Sequence, residues 1–277
     1  MTGIDKYAVF GNPIKQSKSP AIHAAFAAQC GQQLLYRAVL VRPDGFEQAA
    51  RKFFDDGGAG LNVTVPFKQE AFAFADRLSE RARRARAVNT LTRSADGGID
   101  GDNTDGIGLV RDMVANLGWA IQGQRVLVLG AGGAARGVLE PLLREKPSQL
   151  LIVNRTAHKA VQLVTEFADI GPVEGGAYAL IGERSFDLVI NATSAGLSGT
   201  MPDLPGTLLT ERSCCYDMVY GAQPTAFMRW AAHHAAWAVA DGLGMLVEQA
   251  AQSFYIWRRV RPETRPVIRQ IRESLAS

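Results

Sequence analysis

Residues 126–135 read VLVLGAGGAA, an apolar run that enters Gly130-Ala131-Gly132-Gly133-Ala134-Ala135. This is the G-x-G-x-x-A form of the turn that takes a strand into a helix around a pyrophosphate. Its glycines let the backbone bend and approach the ligand, and the unpaired N–H groups at the helix start attract phosphate charge. No Lys-Ser or Lys-Thr follows, which excludes a triphosphate loop of the Walker type. The next apolar run, LLIV, ends on Asn154-Arg155-Thr156, with Lys159 one turn further. A carboxylate at that place would hold a free ribose 2′-hydroxyl. Two cations suit a 2′-phosphate instead, arginine gripping it in forked geometry, so the cofactor expected is NADP(H) in preference to NAD.

Such a loop needs a strand before it and a helix after it, and the chain supplies that alternation throughout. Short apolar runs alternate with longer helical stretches, the pattern of an α/β protein whose mostly parallel sheets are covered by helices. In the first hundred residues the spacing predicts strands over 7–10, 35–41, 60–65 and 87–92, and helices near 19–30, 45–56 and 67–85. The Gly-rich passage ADGGIDGDNTDG, 95–106, closes that unit, and the periodic helix IGLVRDMVANLG leads onward. From there, strands near 126–129, 150–153, 187–191, 214–218 and 237–240 alternate with helices as in a doubly wound, Rossmann-type domain. The amphipathic helix MLVEQAAQSFYIWRRV, a break at Pro262 and the helix PVIRQIRESL have no strand to pair with, so they are expected to pack back on the first unit. The expected domains are 1–105 for the substrate, with 244–277 returning to it, and 106–243 for the dinucleotide.

Composition narrows the partners. The 277 residues are 47% hydrophobic, enough for two cores, and 30 basic against 27 acidic side chains give no global field for nucleic acid. Neither a signal sequence nor an apolar stretch of membrane-spanning length is present, so the expected location is the cytoplasm and the expected partner a small molecule. Cys30, Cys214 and Cys215 form neither a disulfide framework nor a zinc site and are expected to be reduced and buried. In DGDNTDG, Asp105 and Arg111 stand where a calcium loop needs glycine and glutamate. His23, His158, His233 and His234 show no ligand spacing; helical-surface or capping roles are expected, and no metal. The run RARRAR, 81–86, has no interleaved aromatic and reads as a solvated helix face.

From about residue 7 to about residue 260 the chain carries, in order, GNPIKQSKSPAIH, NVTVPFK, AVNT, GDNTDG, GAGGAA, NRT, NATSAG, YDMVY and GLGMLVEQAA. This ordered set resembles the shikimate dehydrogenase family. The resemblance implies reversible NADPH-dependent reduction of 3-dehydroshikimate to shikimate, on the route to chorismate and the aromatic amino acids, by a monomer or homodimer. It implies that Lys68 and Asp105 form an acid–base pair. The roles agree with the chemistry, since reducing a ketone builds charge on its oxygen and an ammonium can donate as that charge develops. It also implies that Ser17, Ser19 and Tyr220 hold a carboxylate, and that Asn62, Thr64, Lys68, Asn89, Asp105 and Gln249 meet the ring hydroxyls. Asn62 and Thr64 alternate along one strand, opposite Leu61, Val63 and Val65, and so share a face. Thr193 of NATSAG is placed near the nicotinamide ribose or phosphate. Met218 and Gly242 are placed beside the nicotinamide, with Met245 one turn beyond. A broader relative that oxidises quinate with NAD is the alternative, and the Asn154-Arg155-Thr156 strand end stands against it. A dinucleotide sensor without turnover would have no use for both Lys68 and Asp105.

Overall fold

The structure, a computed structural model, describes residues 4–193 and 201–276. The chain forms two compact units, one comprising residues up to Gly108 together with Val247–Ser274, the other built from Leu109–Leu246.

The first unit is a six-stranded sheet with helices. Its elements are β1 (Asp5–Gly11), α1 (Ser19–Gln29), β2 (Leu34–Leu40), α2 (Phe46–Asp55), β3 (Gly58–Val63), α3 (Lys68–Phe74), β4 (Arg77–Leu78), α4 (Glu80–Ala85), β5 (Thr90–Arg93) and β6 (Ile99–Asp102). The sheet order is β2-β1-β3-β5-β6-β4. β1 runs parallel to β2 and β3, and β5 is antiparallel to β3 and β6. Phe10, Phe46, Phe54, Leu61, Val63, Phe67 and Leu91 form the core beneath α2 and α3. The tail joins this unit, as its amphipathic pattern predicts. α9 (Leu243–Arg258) carries Trp257, whose ring stacks on Tyr7 at 4.7 Å and whose Nε1 donates to the Leu91 carbonyl at 3.1 Å. Just before α10 (Thr264–Ala276), the Glu263 backbone exchanges hydrogen bonds with the Gln29 amide.

Several details differ from the sequence expectation. The helix foreseen over 67–85 is two helices. Ala75 turns extended, and the Asp76 backbone and carboxylate pair with Ile99 across the sheet. The chain re-enters a helix only where the Ser79 hydroxyl caps the Ala82 N–H. The passage 95–106, read as a boundary loop, contains β6, because its Ile99 buries while its backbone ladders onto β5. β3 stops at Val63, and Val65 is 61% exposed, so the third apolar residue of that run does not share the core with Leu61 and Val63. Arg81 is no solvated charge; it makes a two-pronged contact with the Asp102 carboxylate. Cys214 and Cys215 are buried, but Cys30 is half-buried.

The second unit has β7 (Arg125–Leu129), α6 (Gly133–Arg144), β8 (Gln149–Val153), α7 (Ala157–Phe167), β9 (Val173–Gly176), β10 (Phe186–Asn191), β11 (Leu209–Asp217), α8 (Ala226–His233) and β12 (Ala238–Asp241). The strand order β12-β11-β10-β7-β8-β9, parallel throughout, is that of a doubly wound dinucleotide fold, with its reversal between β7 and β10. β9, rich in glycine, was not foreseen. Ahead of β7, α5 (Asp105–Arg111) widens into one π-turn, Asp112–Asn116. Asp112 is buried there. Tyr216 Oη donates to its Oδ2 at 2.7 Å and Asn116 Nδ2 donates to its Oδ1 at 3.0 Å. A Cβ on Gly244 would lie 1.9 Å from that Oδ1. Gly244→Ala is therefore expected to destabilise the fold by about 1–3 kcal/mol, as overpacked sites do, read as a lowered urea midpoint. An unchanged midpoint would mean that the turn relaxes freely.

Candidate active site

Two clusters, one in each unit, gather part of the set singled out in the sequence: Lys68, Asp105, Asn89, Asn62 and Gln249 are linked by hydrogen bonds in the first, and Gly130–Gly132, Asn154–Thr156, Lys159 and Thr193 line one cavity in the second.

In the first unit, Lys68 and Asp105 are each the opening residue of a short helix, α3 and α5. Lys68 Nζ donates to Asp105 Oδ2 at 2.5 Å, with 30% and 17% of the two side chains exposed. The ion pair is thus sheltered but reachable. The other carboxylate oxygen, Oδ1, accepts from Asn89 Nδ2 at 2.8 Å, which fixes the carboxylate plane. Asn89 is buried, and its amide is engaged on both sides. Its Oδ1 accepts from the Thr104 N–H at 2.9 Å and the Thr90 hydroxyl at 2.9 Å, while its Nδ2 also faces Gln249 Oε1 at 3.4 Å. Asn62 is held in the same way. Tyr36 Oη donates to its Oδ1 at 2.7 Å, and its Nδ2 is directed at the Asn89 carbonyl, Thr90 Oγ1 and Ser253 Oγ at 3.1–3.2 Å. Thr64 lies just past the end of β3 and is half-buried. Ser17 Oγ accepts from the Ser19 N–H at 3.3 Å, at the entry to α1 where Pro20 sets the first turn.

Sequence reasoning missed the hydroxyls behind these amides: Tyr36, Thr90, Thr104 and Ser253. Ser253 had a signal, since it stands four residues after Gln249 and so shares its helix face. His23 was also misplaced. It is wholly buried rather than on a helix surface, stacked on Tyr36 at 4.2 Å and ringed by Phe26, Phe254 and Trp257. Neither ring nitrogen has a hydrogen-bond partner, and burial pushes the imidazole down to about 3.

In the second unit a cavity of about 760 Å³ lies over the carboxyl ends of β7, β8 and β10. Gly130, Ala131, Gly132, Asn154, Arg155, Thr156, Lys159 and Thr193 line it. Gly130 holds φ +103°, a conformation open to glycine, and a side chain there would also press on the Ala192 carbonyl at 3.2 Å. At Gly132 and Gly133 a Cβ would meet nothing within 4 Å, so the backbone stands open as a phosphate cradle must. Gly133 and Ala134 begin α6, and Ala135 is buried in the core, where its small side chain allows helix and sheet to pack closely. Asn154 Oδ1 accepts from the Ala131 N–H at 3.3 Å, and its Nδ2 donates to the Thr156 carbonyl at 3.0 Å. That amide ties the phosphate turn to the cation-bearing strand end. Arg155 and Lys159 are exposed, and no carboxylate ends β8. This donor set fits a dinucleotide with a 2′-phosphate. Tyr178, Met201, Pro202 and Asp203 also line the cavity and carried no recognisable motif.

Thr193 donates through both its N–H and its hydroxyl to Asn191 Oδ1 at 3.2 and 2.7 Å. The rest of NATSAG, Ser194-Ala195-Gly196, lies outside the described residues. Met218 follows β11 and Gly242 follows β12, packed so closely that a Cβ on Gly242 would lie 2.2 Å from the Met218 carbonyl. Met245, in the first turn of α9, donates its backbone N–H to Tyr216 Oη at 3.3 Å. Tyr220 lies just beyond Met218, and burial raises its hydroxyl above the ordinary tyrosine range. Among the described residues no group of three or more His, Cys, Asp or Glu is placed to hold a metal, and no helix is long and apolar enough to cross a membrane.

The chain is similar to known proteins along most of its length. Residues 9–91 match the family model described as the shikimate dehydrogenase substrate binding domain. Residues 112–198 match that of shikimate / quinate 5-dehydrogenase, and residues 242–272 match the shikimate 5′-dehydrogenase C-terminal domain. A relative from Methylococcus capsulatus named shikimate dehydrogenase (NADP(+)) is 58% identical over 268 residues, 97% of this chain and 96% of that protein. Among solved structures, an enzyme from Pseudomonas putida superposes with a TM-score of 0.91 at 47% identity, over 96% of this chain and 97% of that one. Shikimate 5-dehydrogenase from Thermus thermophilus, solved in complex with NADP(H) and shikimate, superposes with a TM-score of 0.86 at 31% identity, over 98% and 100%. With matches that run through both units and the tail, the chain belongs to the shikimate dehydrogenase family.

Proposed function

We propose that the protein is an NADP-dependent shikimate dehydrogenase, which interconverts 3-dehydroshikimate and shikimate on the route to chorismate and the aromatic amino acids. The observation that carries the chemistry is the sheltered contact of Lys68 Nζ with Asp105 Oδ2 at 2.5 Å. Bound NADPH supplies the hydride. The protein's part is to manage the proton and the pose. Lys68 keeps two further N–H bonds, one of which serves the oxygen that changes from ketone to alcohol. Asp105 aims that ammonium and is itself aimed by Asn89. Asn89 thus acts chiefly through Asp105, while Asn62, Thr64 and Gln249 complete the hydroxyl-binding face and Ser17, Ser19 and Tyr220 take the carboxylate. Arg155 and Lys159 bind the 2′-phosphate, Gly130–Gly132 the pyrophosphate, and Thr193, Met218, Gly242 and Met245 frame the nicotinamide end.

On this reading residues 1–105 with 244–277 form the substrate domain and 106–243 the NADP domain. The enzyme works in the cytoplasm on a small molecule, as a monomer or homodimer, with no nucleic-acid or membrane partner. The reading is tested by following reduced cofactor with shikimate, offering NADP and NAD separately and quinate in parallel. Fast reduction of NADP with shikimate alone is expected; comparable rates with NAD or quinate would favour the broader relative. Arg155→Ala is expected to raise KM for NADP by about ten-fold or more, the effect of one lost charge-assisted contact, while leaving the poor KM for NAD unchanged. Equal changes for both cofactors would remove Arg155 from the 2′-phosphate site.

A further inference from the structure

The carboxyl end of β11 holds a charge that the mechanism above does not use. Asp217 is fully buried. Its Oδ1 accepts from Asn191 Nδ2 at 3.2 Å and from the Val219 N–H at 3.0 Å, and its Oδ2 accepts from Thr225 Oγ1 at 2.5 Å. Thr225 Oγ1 itself accepts from the Met228 N–H as the cap of α8, which leaves its proton for Asp217. Every partner is a donor, so the site is built for the ionised carboxylate. No lysine, arginine or histidine among the described residues forms an ion pair with it. Burial raises the carboxyl above its ordinary range, and the nearby Asp241 acts in the same direction. A buried anion without a cation is costly, and the fold keeps one here at the strand end.

The strand order sets where this charge stands relative to a bound dinucleotide. Arg155 and Lys159 follow β8, and Gly130–Gly132 follow β7, on one side of the strand-order reversal. The cavity over them reaches Thr193 at the end of β10. A dinucleotide with its phosphorylated ribose at β8 and its pyrophosphate at β7 must therefore run its other base toward β10 and β11. There Asn191 links Thr193 to Asp217, and Asp217 immediately precedes Met218. Nicotinamide is neutral in NADPH and cationic in NADP⁺. We infer that Asp217, held by Asn191, Val219 and Thr225, is the counter-charge for the cationic nicotinamide of the oxidised cofactor. The inference rests on the NADP reading of the site. The field of Asp217 favours the ring as it loses hydride, and it binds the oxidised form in preference to the reduced one.

Fluorescence titration of NADPH, with NADP⁺ measured by competition, tests this at fixed pH and salt. In Asp217→Asn the Kd for NADP⁺ is expected to rise by roughly five-fold or more relative to that for NADPH, as expected for one charge acting across a partly screened site. Asp217→Ser reads the same ratio should the amide variant fail to fold. Thr225→Val removes a donor but keeps the charge, so its ratio is expected to match the wild type even where its stability falls. An unchanged ratio in a folded, neutral variant overturns the inference while leaving the NADP reading intact. A wild-type protein that binds neither form overturns both.

Discussion

Lys68→Ala is expected to lower kcat for shikimate oxidation by about a thousand-fold, within the range usual for loss of a general acid–base group. Three features of the site set that size. Among the described residues the ammonium's one carboxylate partner is Asp105, whose other oxygen is already committed to Asn89. Among the described residues, no second lysine hydrogen-bonds within the group formed by Asp105, Asn89, Thr104 and Gln249 to take over the proton. The side chain is also partly exposed, so its truncation leaves no core cavity, and a small change in thermal midpoint is expected. NADPH binding should persist within about two-fold of wild type, because the residues proposed to bind its phosphates line a cavity in the other unit. The decisive comparison is steady-state kcat beside a cofactor titration on the same preparation. Turnover retained within ten-fold would remove Lys68 from the chemistry, and a parallel loss of NADPH binding would assign it to the scaffold.

The second large effect is on stability in acid and comes from His23. The folded protein keeps this imidazole neutral down to about pH 3, whereas an exposed histidine takes up a proton near 6.5. Between those values the unfolded chain binds more protons than the folded one. Unfolding free energy therefore falls as the pH falls; the contribution is intact above pH 6.5 and is lost progressively toward pH 3. The shift corresponds to on the order of 5 kcal/mol, or about 1.4 kcal/mol per pH unit through the middle of the window. His23→Phe, which leaves a ring in the aromatic cage and removes the titration, should flatten that part of the acid limb. Urea unfolding of both proteins at several pH values between 4 and 7 gives the difference directly. Parallel curves would show that the wild-type imidazole finds a proton or a partner in the folded state.

The histidine also shows where sequence reading stops. The phosphate turn was legible because all its parts are local: an apolar run, glycines at fixed offsets, a helix start, and a second strand end bearing cations in place of an acid. Both the parallel sheet and the returning tail followed from periodicity. What escaped depends on contacts distant in sequence. Asp76 leaves its helix because Ile99 offers strand hydrogen bonds, and nothing within 67–85 announces that. The glycines of 95–106 look like a linker until β5 is placed alongside them. His23 falls on the inner face of α1, a fact fixed by Tyr36 on β2 and by Phe254 and Trp257 more than two hundred residues away. The hydroxyls behind Asn62 and Asn89 were hidden for the same reason, since serine and threonine in a strand or helix look alike whether they face water or a buried amide.

Those hydroxyls bear on any attempt to redirect the enzyme toward other polyols. The Asn89 amide cannot rotate to greet a new hydroxyl without opposing the Thr104 N–H with its own donor and taking the bond from Asp105. Asn62 is locked by Tyr36 on one side and by Asn89, Thr90 and Ser253 on the other. Library positions would be better spent on Thr64 and Ser17, whose side chains are less committed, than on the two asparagines, where most replacements would unsettle the Lys68–Asp105 ion pair before altering what the site accepts.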